Sequence, residues 1–183
     1  MEQVKITIAL IIAILLQWTL RTVAEPLAFI DFPLIIIVYA ALQRGSIQAL
    51  FYGSIAGLAV DALSGGLLGA NGFSKTLIAY VVSEIVRRVY LDNLLLRIPV
   101  IAGACLLNDL VYYGMHRLLG QVPPAEFVTT TAYTVIGTTI AGTIVYLILD
   151  SFFAEDAKMR KREIFTPRRQ TRRRNPIRLG SRR

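Results

Sequence analysis

The chain has 183 residues, of which 55% are hydrophobic and only 17% charged. That balance, with the apolar residues in long unbroken runs, excludes a water-soluble domain built from two-faced helices. The net charge of +8 is unevenly spread: residues 1–154 hold eight Lys+Arg against nine Asp+Glu, a net of −1, and residues 155–183 hold twelve against three, a net of +9. The basicity belongs to the C-terminal end alone.

A bilayer core of about 30 Å needs roughly 20 mostly apolar residues per helix. The runs predict an all-α integral membrane protein, a six-helix transmembrane bundle with spans near 4–22, 27–43, 46–63, 75–94, 98–119 and 128–150. The first run is long for the apolar part of a signal peptide, and no small-x-small cleavage site follows it, so it is expected to stay as a helix. Glu25-Pro26 separates the first two spans and Gln43-Arg44-Gly45-Ser46 forms a tight second turn. The glycine-rich stretch from Ser64 to Gly72 reads as a flexible third connection, Pro99 as the start of the fifth span, and Pro123-Pro124 as the break after it. Residues 154–183 carry few apolar side chains and are expected to be disordered.

Orientation follows the Lys/Arg count beside the helix ends. Lys5, Arg44, Arg87, Arg88, Arg97 and the basic end fall on one side, and Arg21, Lys75 and Arg117 on the other. Both termini are therefore expected in the cytoplasm, which demands an even number of spans. Arg168, Arg169, Arg172, Arg173 and Arg174 are candidates for binding anionic lipid headgroups or an acidic partner. Arginine runs without interleaved aromatic residues make only salt-sensitive phosphate contacts, so no specific nucleic-acid partner is expected.

A charged side chain at mid-bilayer costs about 2.5–3.5 kcal/mol on insertion scales, so each one needs a reason. Asp31 lies in the first turns of span two, Asp61 late in span three, Glu84 midway along span four, and Asn108 and Asp109 in the middle of span five. Glu84 and Arg88 are four apart in the favourable acid-before-base order and can pair along one face. Cys105, Asp109, Tyr112 and His116 recur at spacings of 4, 3 and 4 and form one polar stripe. Such a stripe either lines a polar cavity for a small solute or a partner's side chain, or supplies interhelical hydrogen bonds. Gly53-x-x-x-Gly57 and Ala9-x-x-x-Ala13 are small-residue pairs that let helices approach closely, within the bundle or against a docked partner.

Catalysis finds no support. The single histidine, His116, excludes a multi-histidine metal site, and Cys105 is the only cysteine. No nucleophile elbow or phosphate loop is present, and Asp61 and Asp109 alone do not make an enzyme acting on lipid-linked substrates. Neither a metal nor another cofactor is expected.

The most distinctive stretch is Gly57-Leu58-Ala59-Val60-Asp61-Ala62-Leu63-Ser64-Gly65-Gly66-Leu67-Leu68-Gly69-Ala70-Asn71-Gly72-Phe73. It resembles the G-x-x-x-D-x-[LF]-S-G-x-x-[LF]-G pattern of MreD, the bacterial rod shape-determining membrane protein family, over roughly residues 1–150. The resemblance implies a non-enzymatic subunit of the cell-elongation machinery in the inner membrane. Its expected partners are an MreC-like protein, with MreB, a RodA-type glycosyltransferase and a penicillin-binding transpeptidase, which together direct lateral peptidoglycan synthesis. It marks Asp61, Gly65, Gly66 and Gly69 as architectural or docking residues. The substrate-binding S-components of energy-coupling-factor vitamin transporters share a similar glycine-rich pattern and helix plan. On that alternative, Ala9 and Ala13 dock on a coupling subunit, and Glu84, Asn108 and Asp109 line a solute pocket, although no aromatic cage for a vitamin ring is evident.

Overall fold

The computed structural model describes residues 2–23, 29–43, 46–88, 94–120 and 126–165. Those residues form six helices: α1 (Glu2–Val23), α2 (Phe32–Gln43), α3 (Ser46–Ser64), α4 (Ala70–Arg88), α5 (Leu94–Leu118) and α6 (Phe127–Phe165). The chain divides into two units, Met1–Leu149 and Asp150–Arg183. Four helices contain a stretch long and apolar enough to cross a membrane: Gln3–Leu20, Ser46–Ser64, Leu96–Leu118 and Phe127–Leu149.

The second predicted span differs most from its helix. At 12 residues, α2 is about 18 Å long, well short of a bilayer core. Its residues Pro33 to Ala41 are all buried. A helix apolar all round is stable where protein surrounds it on every side, and α2 contacts α1, α3, α4 and α5. Tyr146 of α6 closes the last side, edge-on to Tyr39 with ring centroids 5.1 Å apart. α2 is thus the axis of the first unit. The residues before it that complete the expected 27–43 span, 24–28, lie outside the described residues, as do Arg44 and Gly45.

The most extensive pairing is between α3 and α4, and glycine is its cause. A Cβ added at Gly53 would stand 2.8 Å from the Lys75 carbonyl oxygen, and one at Gly57 would stand 2.6 Å from the Gly72 Cα. Both contacts are with backbone, so no side chain can rotate away. Gly53-x-x-x-Gly57 is therefore an internal packing surface. Of the other pair, Ala13 is buried and Ala9 half-buried.

α4 starts at Ala70, five residues before the expected 75–94 span, so the stretch read as a flexible connection already contains its first turn. Residues 89–93 of the expected span lie outside the described residues, so α4 is described as far as Arg88, four residues after Glu84. α5 begins at Leu94 and holds Pro99 inside it. Having no N–H, Pro99 cannot donate to the carbonyl four residues before it, so this turn of α5 lacks one helical hydrogen bond. The second unit is helical as far as Phe165, past residue 154; Lys158, Met159, Arg160, Lys161, Arg162 and Glu163 are all good helix formers. Arg168, Arg169, Arg172, Arg173 and Arg174 lie outside the described residues.

The outward faces of the first unit are apolar. Ile8, Ile11 and Leu15 of α1, Phe51 and Ile55 of α3, and Ile136, Ile140 and Ile144 of α6 are all exposed. These residues repeat at helical spacing, and a water-soluble monomer rarely exposes such continuous apolar stripes. Lipid is the solvent these faces suit.

Candidate functional site

In hydrocarbon no water satisfies the free N–H groups at a helix start, and each one left open costs several kcal/mol. The two inner helices meet this demand with aspartates. Asp61, 1% exposed at the end of α3, folds back over the turn to α4. Its carboxylate accepts the backbone N–H groups of Gly69 at 2.9 Å, Asn71 at 3.1 Å and Gly72 at 3.1 Å, and the Asn71 side-chain amide at 2.8 Å. The Ala70 N–H donates to the Leu67 carbonyl and the Phe73 N–H to that of Gly69. Every donor of the first turn is thereby used, and a negative charge lies where the helix dipole favours it.

The turn that makes this possible depends on two backbone conformations. Gly65 has φ 62° and Gly69 φ 96°, a region that costs side-chain-bearing residues roughly 1–2 kcal/mol. Gly66 has no positive φ, and a Cβ there would meet nothing closer than 3.6 Å. The connection is a tied turn rather than a flexible one.

Asp31 does the same for α2. Its Oδ1 accepts the Leu34 N–H at 3.0 Å, Gln17 of α1 accepts the Phe32 N–H at 3.0 Å, and Pro33 has no donor to satisfy. The Asp31 N–H itself donates to the Thr138 hydroxyl of α6 at 3.1 Å. The second carboxylate oxygen of Asp31 receives the Lys75 ammonium in a short ion pair. Lys75 is 1% exposed, so the residue expected at an outer interface is instead a buried partner that ties α4 to the start of α2. Sequence spacing had no means of pairing positions 31 and 75.

Beside this pair lies a cavity of about 320 Å³ in the first unit, lined by Gln17 of α1, residues 29–31 before α2, Val60 of α3, Asn71 of α4, and side chains of α5 and α6. Asn108, Asp109, Tyr112 and His116 of α5 form one wall, and Thr130, Thr131 and Thr134 of α6 another. Phe29, Tyr113 and Phe127 add aromatic surface, with Tyr113 and Phe127 in ring contact at 4.1 Å. The polar stripe of α5 thus faces this space, joined by Asn108. Its fourth member, Cys105, is fully buried and is not part of the lining. His116 stacks on Tyr112 with ring centroids 4.4 Å apart, and its Nδ1 lies 3.1 Å from the Tyr112 carbonyl oxygen.

Comparison with known families decides the assignment. The model of the rod shape-determining protein MreD matches residues 2–155. The chain belongs to the MreD family. No curated protein and no solved structure matches it. Membership makes it a rod-shape-determining protein of the membrane, and its apolar helices make it multi-pass.

The stretch through which the sequence resembles MreD is therefore, in this family member, a helix-capping device. Asp61 supplies the acceptor, Gly65 and Gly69 supply the turn, and Gly57 supplies the close approach. Of the other polar residues, Arg88 donates to Glu84 Oε1 through Nε at 3.0 Å and through its terminal nitrogen at 2.9 Å, an exposed pair. Glu84 does not line the cavity; Asn108, Asp109 and His116 do. Asp31, singled out in the sequence only as a charge at membrane depth, joins them, as do Gln17 of α1 and the threonines of α6, which no sequence spacing linked to α5.

Proposed function

We propose that this MreD-family chain is a non-catalytic subunit of the bacterial cell-elongation complex, scaffolding or regulating lateral peptidoglycan synthesis from the inner membrane. The family match over residues 2–155 carries this reading. The physical features support it in kind: the buried Asp61 and Lys75 and the half-buried Asp31 are occupied in holding helices together, and the exposed apolar faces of α1, α3 and α6 offer area for lipid and for other membrane helices. An MreC-like protein is the expected direct partner. MreB, a RodA-type glycosyltransferase and a penicillin-binding transpeptidase belong to the same assembly.

Both termini are placed in the cytoplasm on this reading, because the +9 segment 155–183 is retained on the side of anionic lipid. Arg168, Arg169, Arg172, Arg173 and Arg174 then lie against the inner leaflet or an acidic partner surface. Affinity capture of the full chain from rod-shaped bacteria tests the assignment. Recovery of an MreC-like protein supports it, whereas recovery of transporter ATPases with their coupling subunit overturns it. An alkaline-phosphatase fusion at the C terminus tests the orientation and is expected to be inactive.

A further inference from the structure

The cavity beside Asp31 holds hydrogen-bonding capacity that the fold itself does not use. Asn108 is 4% exposed, and its Nδ2 donates to Asp109 Oδ1 at 3.3 Å. A carboxylate only accepts, so this bond fixes which way the Asn108 amide faces. Its carbonyl oxygen is left buried, and no group in the described residues donates to it. A buried acceptor without a donor is rare in a folded protein, because the group has lost water and gained nothing.

The charges around the cavity point the same way. Lys75 is committed to Asp31, and among the described residues no cation lies within ion-pair distance of Asp109. The Tyr112 carbonyl can only accept, so the His116 Nδ1 that faces it carries a proton. The lining thus holds an unpartnered carbonyl, a carboxylate with no ion-pair partner among the described residues, threonine hydroxyls that can donate or accept, and aromatic walls from Phe29, Tyr113 and Phe127. Aromatic faces attract cations. The volume, about 320 Å³, is at the small end of ligand sites.

We propose that this cavity binds a small organic cation with N–H donors, an alkylguanidinium or alkylammonium ion. Its N–H groups fill the Asn108 carbonyl, its charge neutralises Asp109, and its alkyl part lies against the aromatic wall. The site goes beyond a scaffolding role and does not depend on which proteins the chain assembles with.

The test is titration calorimetry on the purified full-length protein in detergent, with n-butylguanidinium chloride as probe and n-butanol and sodium butyrate as neutral and anionic counterparts of similar size. The expected result is saturable binding of the guanidinium alone. Asp109→Asn and Asn108→Leu should each weaken it by about tenfold or more, equivalent to one lost charge-assisted contact, while Glu84→Gln, outside the cavity, should leave it unchanged. Should Asp109→Asn fail to accumulate, Asn108→Leu carries the comparison alone. Absence of binding to the unmodified protein overturns the proposal, as does equal binding of all three compounds. So does unchanged affinity in whichever of the two cavity variants can be purified.

Discussion

The side-chain amide of Asn71 donates to Asp61 Oδ1 at 2.8 Å, ten residues away across the turn between α3 and α4. With the three backbone N–H groups that the same carboxylate accepts, this bond turns a charge that is costly in a membrane into the start of a helix. Asp31 repeats the arrangement for α2 and adds an ion pair to Lys75. Asp61, Asp31 and Lys75 are thus all accounted for at helix starts.

Replacement of Asp61 should therefore be severe. Asp61→Ala leaves three backbone donors and one side-chain donor open in a buried place, at about 1–3 kcal/mol each before relaxation. A net loss of about 3–5 kcal/mol is expected, seen as a lower melting temperature in detergent and reduced accumulation in membranes. Asp61→Asn, which keeps one acceptor oxygen, should fall between that variant and the unmodified protein. A melting temperature unchanged in Asp61→Ala would contradict the capping role.

Gly57→Ala tests the close approach of α3 and α4. The added Cβ would meet the Asn71 carbonyl carbon and the Gly72 Cα, each at 2.6 Å, and neither can move without shifting the helix. Overpacking of this kind costs about 1–3 kcal/mol or more. Gly66→Ala, at a position with ordinary φ and open space, is the matched control and should lose far less. Thermal melting of the two variants side by side checks the order.

The contrast between Gly57 and Lys75 shows what a linear sequence carries here. Apolar runs near bilayer length located α1, α3, α5 and the start of α6, because a helix in lipid must be apolar for most of its circumference. The glycine–aspartate stretch was visible because a turn and its cap are local, complete within residues 57–73. Lys75 and Asp31 are 44 positions apart, on helices that meet only in three dimensions, and no period of 3 or 4 links them. The burial of α2 was hidden for another reason: an apolar helix reads the same whether protein or lipid surrounds it. Its 12-residue length became visible only when the structure placed its cap at Asp31.

The Asp31–Lys75 pair makes a prediction of coupling rather than of simple loss. Lys75→Met strands a half-buried carboxylate and Asp31→Asn strands a fully buried ammonium, and breaking a buried pair from one side costs about 3–5 kcal/mol. The double variant removes both charges and should cost much less than the sum. Asp31→Asn also retains an oxygen for the Leu34 N–H, so the cap partly survives. A double-mutant cycle measured by thermal melting should give a coupling of about 1–3 kcal/mol, and additive losses would show that the two charges act independently.

Glu84 and Arg88 form an equally clear pair with the opposite expectation. Their hydrogen bonds are short and two-fold, at 2.9 and 3.0 Å, but the Arg88 side chain is 76% exposed and Glu84 32%. Exposed i,i+4 pairs contribute about 0.3–0.5 kcal/mol, since solvent screens the attraction and two long side chains are immobilised. Arg87 shares the same carboxylate at 3.5 Å, so loss of Arg88 leaves Glu84 a partner. Glu84→Gln and Arg88→Gln should each lower stability by less than about 1 kcal/mol, with melting temperatures close to that of the unmodified protein. A loss as large as that of Lys75→Met would mean that the end of α4 lies inside hydrocarbon, where an unpaired charge is expensive. Near-neutrality instead sets Glu84 and Arg88 at the wet edge of the bilayer, two to four turns along α4 from the buried Lys75.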